Sequence, residues 1–460
     1  MLRQLFAASS DAFQSRTRSL LVSGCLLAGL SIASPVWAAA PEGSYRGHAY
    51  GTFASANTGP VATTLGKSAL QPCGCRGTNG QVLQNSIGRL SAGANGKVLH
   101  LDGIVNTVFT NELANQALVT NTSKVERPNM FQGRIRADRV KTGANVVATI
   151  TDIDTDAQGT RFVGLKVDGE PVRDDVTANT RFELPGIGSV IVKRVRRGGD
   201  QNFQFITVDA LVVKVEEEND FDLPIGAEII VGHSTAGYSR TVPEVVFGGN
   251  AYATEGSAKM GDNLAGQIGR AANVYLGCEG TNGKTKSNNV NETDVGNVLS
   301  IGSGKTTAFG SKTLSGKVAK TTAKVEDVSL LNGAVTADTV TAVAQETMKN
   351  GVKSRSAQGS GLVGLRVNGV RLPAQTPPNT VVELPMFGRV VLNEQTIPPA
   401  GSSEATEVNA MVIIITKKNA LNLPIGSRIV VAHAAARVHL FDDEPIETSQ
   451  GELSVAKATN

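Results

Sequence analysis

The sequence predicts an all-β protein: two homologous antiparallel domains in tandem, each β-sandwich or barrel-like. Three observations lead to this prediction. Glycine is abundant, with 50 residues in 460, while aromatic residues make up only 4%. Short alternating or apolar stretches are bounded by Gly and Pro, a pattern typical of strands and turns rather than long helices. The same motifs also appear twice along the chain, which indicates a duplicated unit.

The duplication is clearest in LPIGAEIIVGH at 223–233, which returns as LPIGSRIVVAH at 423–433. VGLKVDG at 163–169 likewise returns as VGLRVNG at 363–369. Each copy is long enough to bury its own core, and two copies are too few for a solenoid. The sequence therefore predicts a signal peptide over 1–38, β domains over 41–240 and 241–440, and a polar tail without an anchor over 441–460.

Turn-forming residues divide each copy into strands. The DG pair at 168–169 and the NG pair at 368–369 predict two-residue hairpin turns. LPIG is also predicted to be a turn, because Pro presets one dihedral and Gly permits the next. NELANQAL at 111–118 predicts one or two helical turns without a counterpart in the second copy. The basic KRVRR and the acidic EEEND, 193–197 and 216–220, are predicted to be charged strand ends or a hairpin tip facing water.

The N-terminus predicts export. Arginines precede an apolar run, and VWAAA supplies small residues for cleavage after Ala38 or Ala40, which is the pattern of a secretory signal peptide. We expect an extracellular or cell-surface location, with the periplasm as the alternative, and no transmembrane segment in the mature chain.

The net charge and the aromatic content limit the classes of partner that the mature chain is expected to bind. Without residues 1–38, basic and acidic residues nearly balance, which gives no case for nucleic acid or an anionic membrane as partner. The only tryptophan, Trp37, lies in the predicted signal peptide. The mature chain is therefore a poor candidate for a lectin that stacks tryptophan on sugar rings.

Three cysteines remain in the mature chain: Cys73, Cys75 and Cys278. Cys73 and Cys75 are too close in sequence for an easy mutual bond. Cys278 pairing with one of them, and a thiol that links two chains, are both left open by the sequence. A structural role is favoured over a metal site, because QPCGCRGTNG offers no further ligands.

Two other groups are candidate site residues. Asp152, Asp154 and Asp156 alternate in TDIDTDAQGT and form a calcium candidate, although the second copy lacks all three carboxylates and the EF-hand pattern fails. An acidic turn facing water is the favoured alternative. His233 and His433 occupy equivalent positions at the ends of apolar strands, which predicts a shared structural hydrogen bond rather than a metal ligand or a catalytic base.

The second copy contains LNGAVTADTVTAVA at 331–344, then VGLRVNGVRLPAQTPPNTVVELPMFGRVVLNEQ at 363–395, then VNAMVI and IVVAHA. This order of motifs resembles the choice-of-anchor P family of exported bacterial surface proteins. The first copy matches more loosely, with VIVKRV in place of VVLNEQ. The resemblance implies a β-rich extracellular or surface module without established catalytic residues.

Taken together, these patterns predict an exported, non-enzymatic structural or adhesive protein of the cell surface or extracellular matrix. Its partner would be a surface or matrix component, including further copies of itself. A calcium-dependent binding module is the first alternative, and calcium is the one cofactor considered. An extracellular hydrolase on a β scaffold is the second alternative.

Overall fold

The computed structural model describes residues 40–55, 67–88, 90–92, 96–257, 268–290, 293–295, 297–373, 376–399 and 401–443. The predicted signal peptide and most of the predicted tail lie outside these ranges. Within them the chain forms β-strands and two short 3-10 turns, Phe131–Gly133 and Phe441–Asp443, and no α-helix. The prediction of an all-β fold is confirmed. None of the described residues belongs to a helix long and apolar enough to cross a membrane.

The described part of the first repeat contains eighteen strands. They are β1 Ser44–Ser55, β2 Gln71–Pro72, β3 Val82–Ile87, β4 Leu90–Ala92, β5 Leu99–Leu101, β6 Gly103–Leu113, β7 Gln116–Glu126, β8 Asn129–Met130, β9 Ile135–Arg136, β10 Arg139–Ala148, β11 Ile153–Asp156, β12 Arg161–Val163, β13 Lys166–Val167, β14 Glu170–Pro171, β15 Thr180–Leu184, β16 Gly188–Gly199, β17 Phe203–Val215 and β18 Glu228–Ser239.

Seventeen strands lie in the described ranges of the second repeat. They are β19 Val245–Ser257, β20 Ile268–Ala271, β21 Val274–Tyr275, β22 Lys286–Val290, β23 Thr293–Val295, β24 Leu299–Ile301, β25 Ser303–Thr313, β26 Gly316–Leu330, β27 Val335–Lys349, β28 Val352–Ser356, β29 Gly361–Val363, β30 Arg366–Val367, β31 Val370–Arg371, β32 Thr380–Leu384, β33 Gly388–Thr396, β34 Thr406–Ile415 and β35 Arg428–Leu440.

These strands form five antiparallel sheets. In the first repeat, sheet A has the order β15-β16-β17-β18-β1-β2, sheet B the order β11-β10-β7-β6-β3 with β12 on β10, and sheet C the order β14-β13-β9-β8-β5-β4. In the second repeat, sheet D runs β20-β19-β35-β34-β33-β32 with β21 on β19, and sheet E is built on β22-β25-β26-β27-β30-β31. Every strand pair among the described residues lies within one repeat, and no sheet closes on itself.

Each repeat buries a core between two facing sheets. Sheet A packs on sheet B through β17 and β18 against β7 and β10, and sheet D packs on sheet E through β34 and β35 against β26 and β27. The apolar side chains between them, such as Val140 and Val231 in the first repeat, are fully buried. Each such valine contributes about 1.5–3 kcal/mol relative to exposure. The layers are therefore held mainly by aliphatic burial.

The predicted turns differ in outcome. Asp168 and Gly169 both have positive φ angles between β13 and β14, as a type I′ hairpin requires. In LPIG, the Ala227 amide donates to the Pro224 carbonyl, and Gly226 has a φ of 90°, so the segment is a turn as predicted. The predicted helical turn at 111–118 is wrong.

That segment is a β-hairpin. Strands β6 and β7 pair from Leu113 opposite Gln116, and Asn115 takes the left-handed conformation that the tight connection needs. The second repeat does have a counterpart, because Thr313 pairs with Gly316 in the same way. The apolar residues of NELANQAL match a helical period by coincidence, because a two-residue turn separates two strands that each alternate apolar and polar residues.

A disulfide joins the two repeats. Cys75 is bonded to Cys278, and the motifs CRGTNG and CEGTNG make these two cysteines equivalent positions of the duplication. Around it, the Arg46 Nη1 donates to Glu279 Oε2 at 2.7 Å, and the Arg76 guanidinium lies over the ring of Phe441. A contact between like positions is the arrangement that a two-fold symmetric pair makes.

The second repeat buries one histidine without a hydrogen-bond partner. His439 is fully buried, and neither ring nitrogen is hydrogen-bonded among the described residues. Burial, followed by the charges of Arg437 and Lys353, lowers the pKa of His439 to about 3. Its equivalent in the first repeat is Ser239, whose Oγ accepts from the Thr241 amide. The neutral imidazole is therefore the form compatible with the folded state.

We expect the disulfide to hold the repeats together after the chain between them is cut. A protease site inserted between Val242 and Pro243 should give two fragments that migrate as one band on a non-reducing gel and separate after reduction. Cys75→Ser should separate without reductant, whereas Cys73→Ser should not. If the cut protein without any cysteine substitution already gave two separate bands on the non-reducing gel, the pairing would be contradicted.

We expect acid to destabilise the protein partly through His439. The pKa of His439 in the folded state lies below its value of about 6.5 in the unfolded chain, so protons bind preferentially to the unfolded chain. The free energy of unfolding is therefore unaffected by His439 above about pH 6.5 and decreases as the pH falls toward about 3. The fall in Tm between about pH 7.5 and about pH 5 should be smaller in His439→Ser than in the parent chain. An equal fall in both proteins would show that His439 does not contribute.

Candidate functional site

A row of polar and aromatic side chains crosses sheet A on the side away from its core. Arg194 of β16 is paired in register with Asp209 of β17, Asp209 with His233 of β18, and His233 with Tyr50 of β1. In sheet D the same register gives Glu394, Asn409, His433 and Tyr252. The sequence therefore builds one row of four side chains twice.

A line of irregular residues creates this row. Pairing skips one residue in each strand, at 193, 210, 232 and 51, and Lys193 and Gly232 have positive φ angles. Such irregularities change the strict alternation of side chains. As a result Asp209 and Val212, three residues apart, lie on the same face, where Val212 packs against Tyr50.

The geometry around His233 is tight. Its Nδ1 donates to Asp209 Oδ1 at 2.6 Å, and its ring is stacked on that of Tyr50 with centroids 4.1 Å apart. The ring of His48 is also stacked on it, at 5.2 Å. In the second repeat His433 Nδ1 donates to Asn409 Oδ1 at 2.7 Å and is stacked on Tyr252 at 4.2 Å. This is where the structure places the two sequence-predicted histidines.

Charges in the first row balance one another. Arg194 Nε donates to Asp209 Oδ2 at 2.8 Å, and its two Nη atoms donate to Glu228 at 3.1 Å. Burial raises the pKa of Asp209, but the hydrogen bonds and charges of His233 and Arg194 outweigh it and lower that pKa overall. Burial lowers the pKa of His233 despite Asp209. Asp209 is therefore a buried carboxylate hydrogen-bonded to His233 and paired with Arg194 and with Arg196, whose Nη2 lies 3.4 Å from Asp209 Oδ2 and supplies the second positive charge.

The second row reverses this ion pair. Glu394 stands at the position of Arg194, and Arg428 stands at the position of Glu228; Arg428 Nη2 donates to Glu394 Oε2 at 2.7 Å. Asn409 replaces Asp209 and donates to Glu394 at 2.8 Å. An aspartate at position 409 would repel Glu394, so the exchange at this position depends on the exchanges at the other two. The prediction that 193–197 faces water is wrong for Arg194, whose side chain is only 13% exposed.

The row has the hydrogen bond that joins a base to its orienting group. His233 Nε2, which would accept a proton, is buried and has no hydrogen-bond partner among the described residues. Rings of Tyr50 and His48 stack on its imidazole. In the second row the orienting group is the neutral Asn409, which would not stabilise an imidazolium. What the two rows share is a cross-strand hydrogen bond and an aromatic stack.

Beside the first row lies a cavity between the repeats, with a volume of about 530 Å³. Its first-repeat wall comes from β1 and the segment 67–73, and its second-repeat wall from 273–288. The lining carries the cationic groups of Arg46, Lys67 and Lys286, and apolar groups including Phe53 and Tyr275. Mixed lining and a volume in this range are typical of a small-molecule site.

A cation lies over the tyrosine of each row. Lys67 Nζ is 4.9 Å from the Tyr50 ring centroid, and the guanidinium of Arg270 is 4.8 Å from that of Tyr252. These cations are equivalent positions, since each precedes its disulfide cysteine by eight residues. Attraction to the ring face stabilises such a cation by about 0.5–2 kcal/mol. The two copies differ in how this positive charge is neutralised.

The calcium candidate lies elsewhere. Asp152, Asp154 and Asp156 are exposed in or beside the edge strand β11, so the predicted acidic turn is wrong in its secondary structure. Asp156 Oδ1 accepts from Asn145 Nδ2 and from the Gln158 amide, both at 2.7 Å. Within the described ranges no three His, Cys, Asp or Glu side chains are grouped to hold a metal.

Of the three cysteines, Cys75 and Cys278 form the disulfide already described. Cys73 is buried, and its thiol donates to the Gly74 carbonyl at 3.4 Å. Sequence reasoning missed Tyr50, Arg194, Asp209 and Lys67. A comparison of equivalent polar positions would have found Arg194, because 194 and 228 exchange their charges with 394 and 428.

We expect the first repeat to tolerate the residues of the reversed ion pair only when all three are introduced together. Arg194→Glu alone places a third carboxylate beside Asp209 and Glu228 and should cost about 3–5 kcal/mol of folding free energy. The triple variant Arg194→Glu, Asp209→Asn, Glu228→Arg copies the second row and should recover stability to within about 1 kcal/mol. Unfolding monitored by circular dichroism measures both.

Glu394→Gln provides the matched control in the second repeat, since it leaves Arg428 without its carboxylate but adds no repulsion. It should cost less than Arg194→Glu. A triple variant as unstable as Arg194→Glu alone would show that the two rows are not equivalent environments.

The chain was compared with known proteins to identify relatives of these rows. No model of a protein family matches it, and no curated protein matches it.

Proposed function

We propose that the protein is an exported, non-enzymatic structural or adhesive module of the cell surface or extracellular matrix, in keeping with its resemblance to the choice-of-anchor P family. The observation that carries this proposal is the Cys75–Cys278 disulfide between the repeats. Disulfides persist in oxidising compartments such as the periplasm and the outside of the cell. A bond that fastens two sandwiches to each other suits a part that bears load or presents a fixed surface.

An exposed sheet edge supports contact with further copies. Strand β32 is last in sheet D and pairs only with β33, so its outer backbone groups have no strand partner in the described chain. Val381 on this strand is 52% exposed, and Met386 just beyond it is 68% exposed. An apolar edge of this kind is a template for pairing with another strand.

The equivalent edge in the first repeat is protected. On β15, Arg181 stands in place of Val381 and forms ion pairs with Glu183 at 3.0 Å and Glu216 at 2.9 Å. Charged side chains on an edge strand oppose edge-to-edge pairing. Of these two equivalent edges, β32 is open to addition of a strand and β15 is closed, which favours assembly at β32.

We expect light scattering of the purified chain 39–460 to detect assemblies that persist in EDTA. Val381→Lys should shift them toward monomer, because the lysine would be desolvated in a paired edge. Val363→Lys, at a position of similar exposure on β29, is the matched control and should leave their size unchanged.

Each result has a defined meaning. Assemblies that dissolve in EDTA would replace this proposal with the calcium alternative through Asp152, Asp154 and Asp156. A monomer under all conditions would overturn self-assembly as the mode of contact. Equal effects of Val381→Lys and Val363→Lys would overturn the assignment of the β32 edge.

A further inference from the structure

The cavity between the repeats holds a positive charge that the protein does not neutralise. Lys67 Nζ contacts His48 Nε2 at 3.3 Å and the ring of Tyr50, and no carboxylate lies within ion-pair distance of it among the described residues. Lys286, on the opposite wall, likewise forms no ion pair there. Burial, followed by the charge of Lys286, lowers the pKa of Lys67 to about 8. Two cations thus oppose each other across a space large enough for a ligand.

The second repeat shows how the same position is neutralised internally. Arg270, the equivalent of Lys67, donates from Nε to Glu255 Oε1 at 3.1 Å. The equivalent of Glu255 is Phe53, since each lies three residues after the tyrosine of its row. Phe53 lines the cavity. The first repeat therefore has the cation without the carboxylate, and an aromatic ring at the position equivalent to that carboxylate.

The remaining positive group of the lining is already paired. Arg46 forms two hydrogen bonds to the carboxylate of Glu279, so this pair fixes one side of the cavity and leaves the charges of Lys67 and Lys286. The lining also includes Phe53, Leu70 and Tyr275, which belong to one apolar cluster. The lining thus combines two cations with an apolar wall.

We propose that this cavity binds a small organic anion, whose acidic group is held by Lys67 and Lys286 and whose apolar body packs on Phe53, Leu70 and Tyr275. The acidic group takes the place that Glu255 takes beside Arg270. Carboxylate, phosphate and sulfonate share the required chemistry, because Lys binds each as a point charge. Since its walls come from both repeats, the site exists only while the repeats stay together. The inference is independent of assembly at the β32 edge.

The test uses the full mature chain and the anionic dye 8-anilinonaphthalene-1-sulfonate, with the neutral N-phenyl-1-naphthylamine as the uncharged probe. We expect saturable binding of the sulfonate, followed by fluorescence and calorimetry, and much weaker binding of the neutral dye. Lys67→Gln and Lys286→Gln should each weaken sulfonate binding about tenfold, which corresponds to about 1.4 kcal/mol. Lys349→Gln, outside the cavity, should leave it unchanged. Benzoate and phenyl phosphate should compete with the dye, and their relative strength distinguishes the two acidic groups.

Phe53→Glu is the decisive variant, because it copies the second repeat and supplies the carboxylate from within the chain. It should abolish sulfonate binding while circular dichroism and Tm show a folded protein. If that variant does not fold, the exposed Lys286→Gln still tests the site. Equal binding of both dyes, or sulfonate binding that is the same in the lysine variants and in Lys349→Gln, would overturn the proposal. None of these variants alters Val381, so light scattering reports separately on assembly.

Discussion

The bond between Cys75 and Cys278 is the constraint on which the relation between the repeats depends. Every strand pair of the described chain stays within its own repeat, so no sheet hydrogen bonds run between the two sandwiches. Among the described residues, the repeats are joined by this bond, by Arg46 with Glu279, by Tyr275 packed on the cluster of Tyr50 and Leu70, and by contacts between β3 and β20. The cavity takes its two walls from these neighbouring segments. Without the bond, only the connecting segment and these non-covalent contacts would hold the two walls together.

Inside each sandwich a second constraint operates, namely that a buried charge needs a compensating charge. Both repeats place polar groups on the same irregular row, yet they meet the requirement with opposite signs. Arg194 serves Asp209 and Glu228 in one repeat, and Glu394 serves Arg428 in the other, where Asn409 is neutral. The backbone irregularity fixes where the row lies, whereas the identity of the charges is free as long as the set stays balanced.

The fold class, the DG and LPIG turns and the duplication could be predicted because each depends on local pattern. NELANQAL misled, since a two-residue turn between alternating strands imitates a helical period over eight residues. The row of Arg194, Asp209 and His233 could not be predicted from alternation, because skipped residues in four strands change which side chains share a face. Nor could the cavity, whose lysines at 67 and 286 meet only through the disulfide. The sequence left that pairing open, and the three-dimensional approach of Cys75 to Cys278 decides it.

Equivalent positions of the two repeats meet at the disulfide, as equivalent residues do at the axis of a two-fold symmetric dimer. Here both copies belong to one polypeptide. Two identical subunits would have to carry the same residue on both sides of their contact. Two copies within a single chain need not carry the same residues, and in this chain they differ at the contact. Phe53 stands where the other copy has Glu255, Lys67 where it has Arg270, and Arg76 where it has Glu279. A symmetric ancestor would offer two identical pockets or none, whereas fusion allows one copy to specialise for a ligand while the other keeps its cation permanently paired.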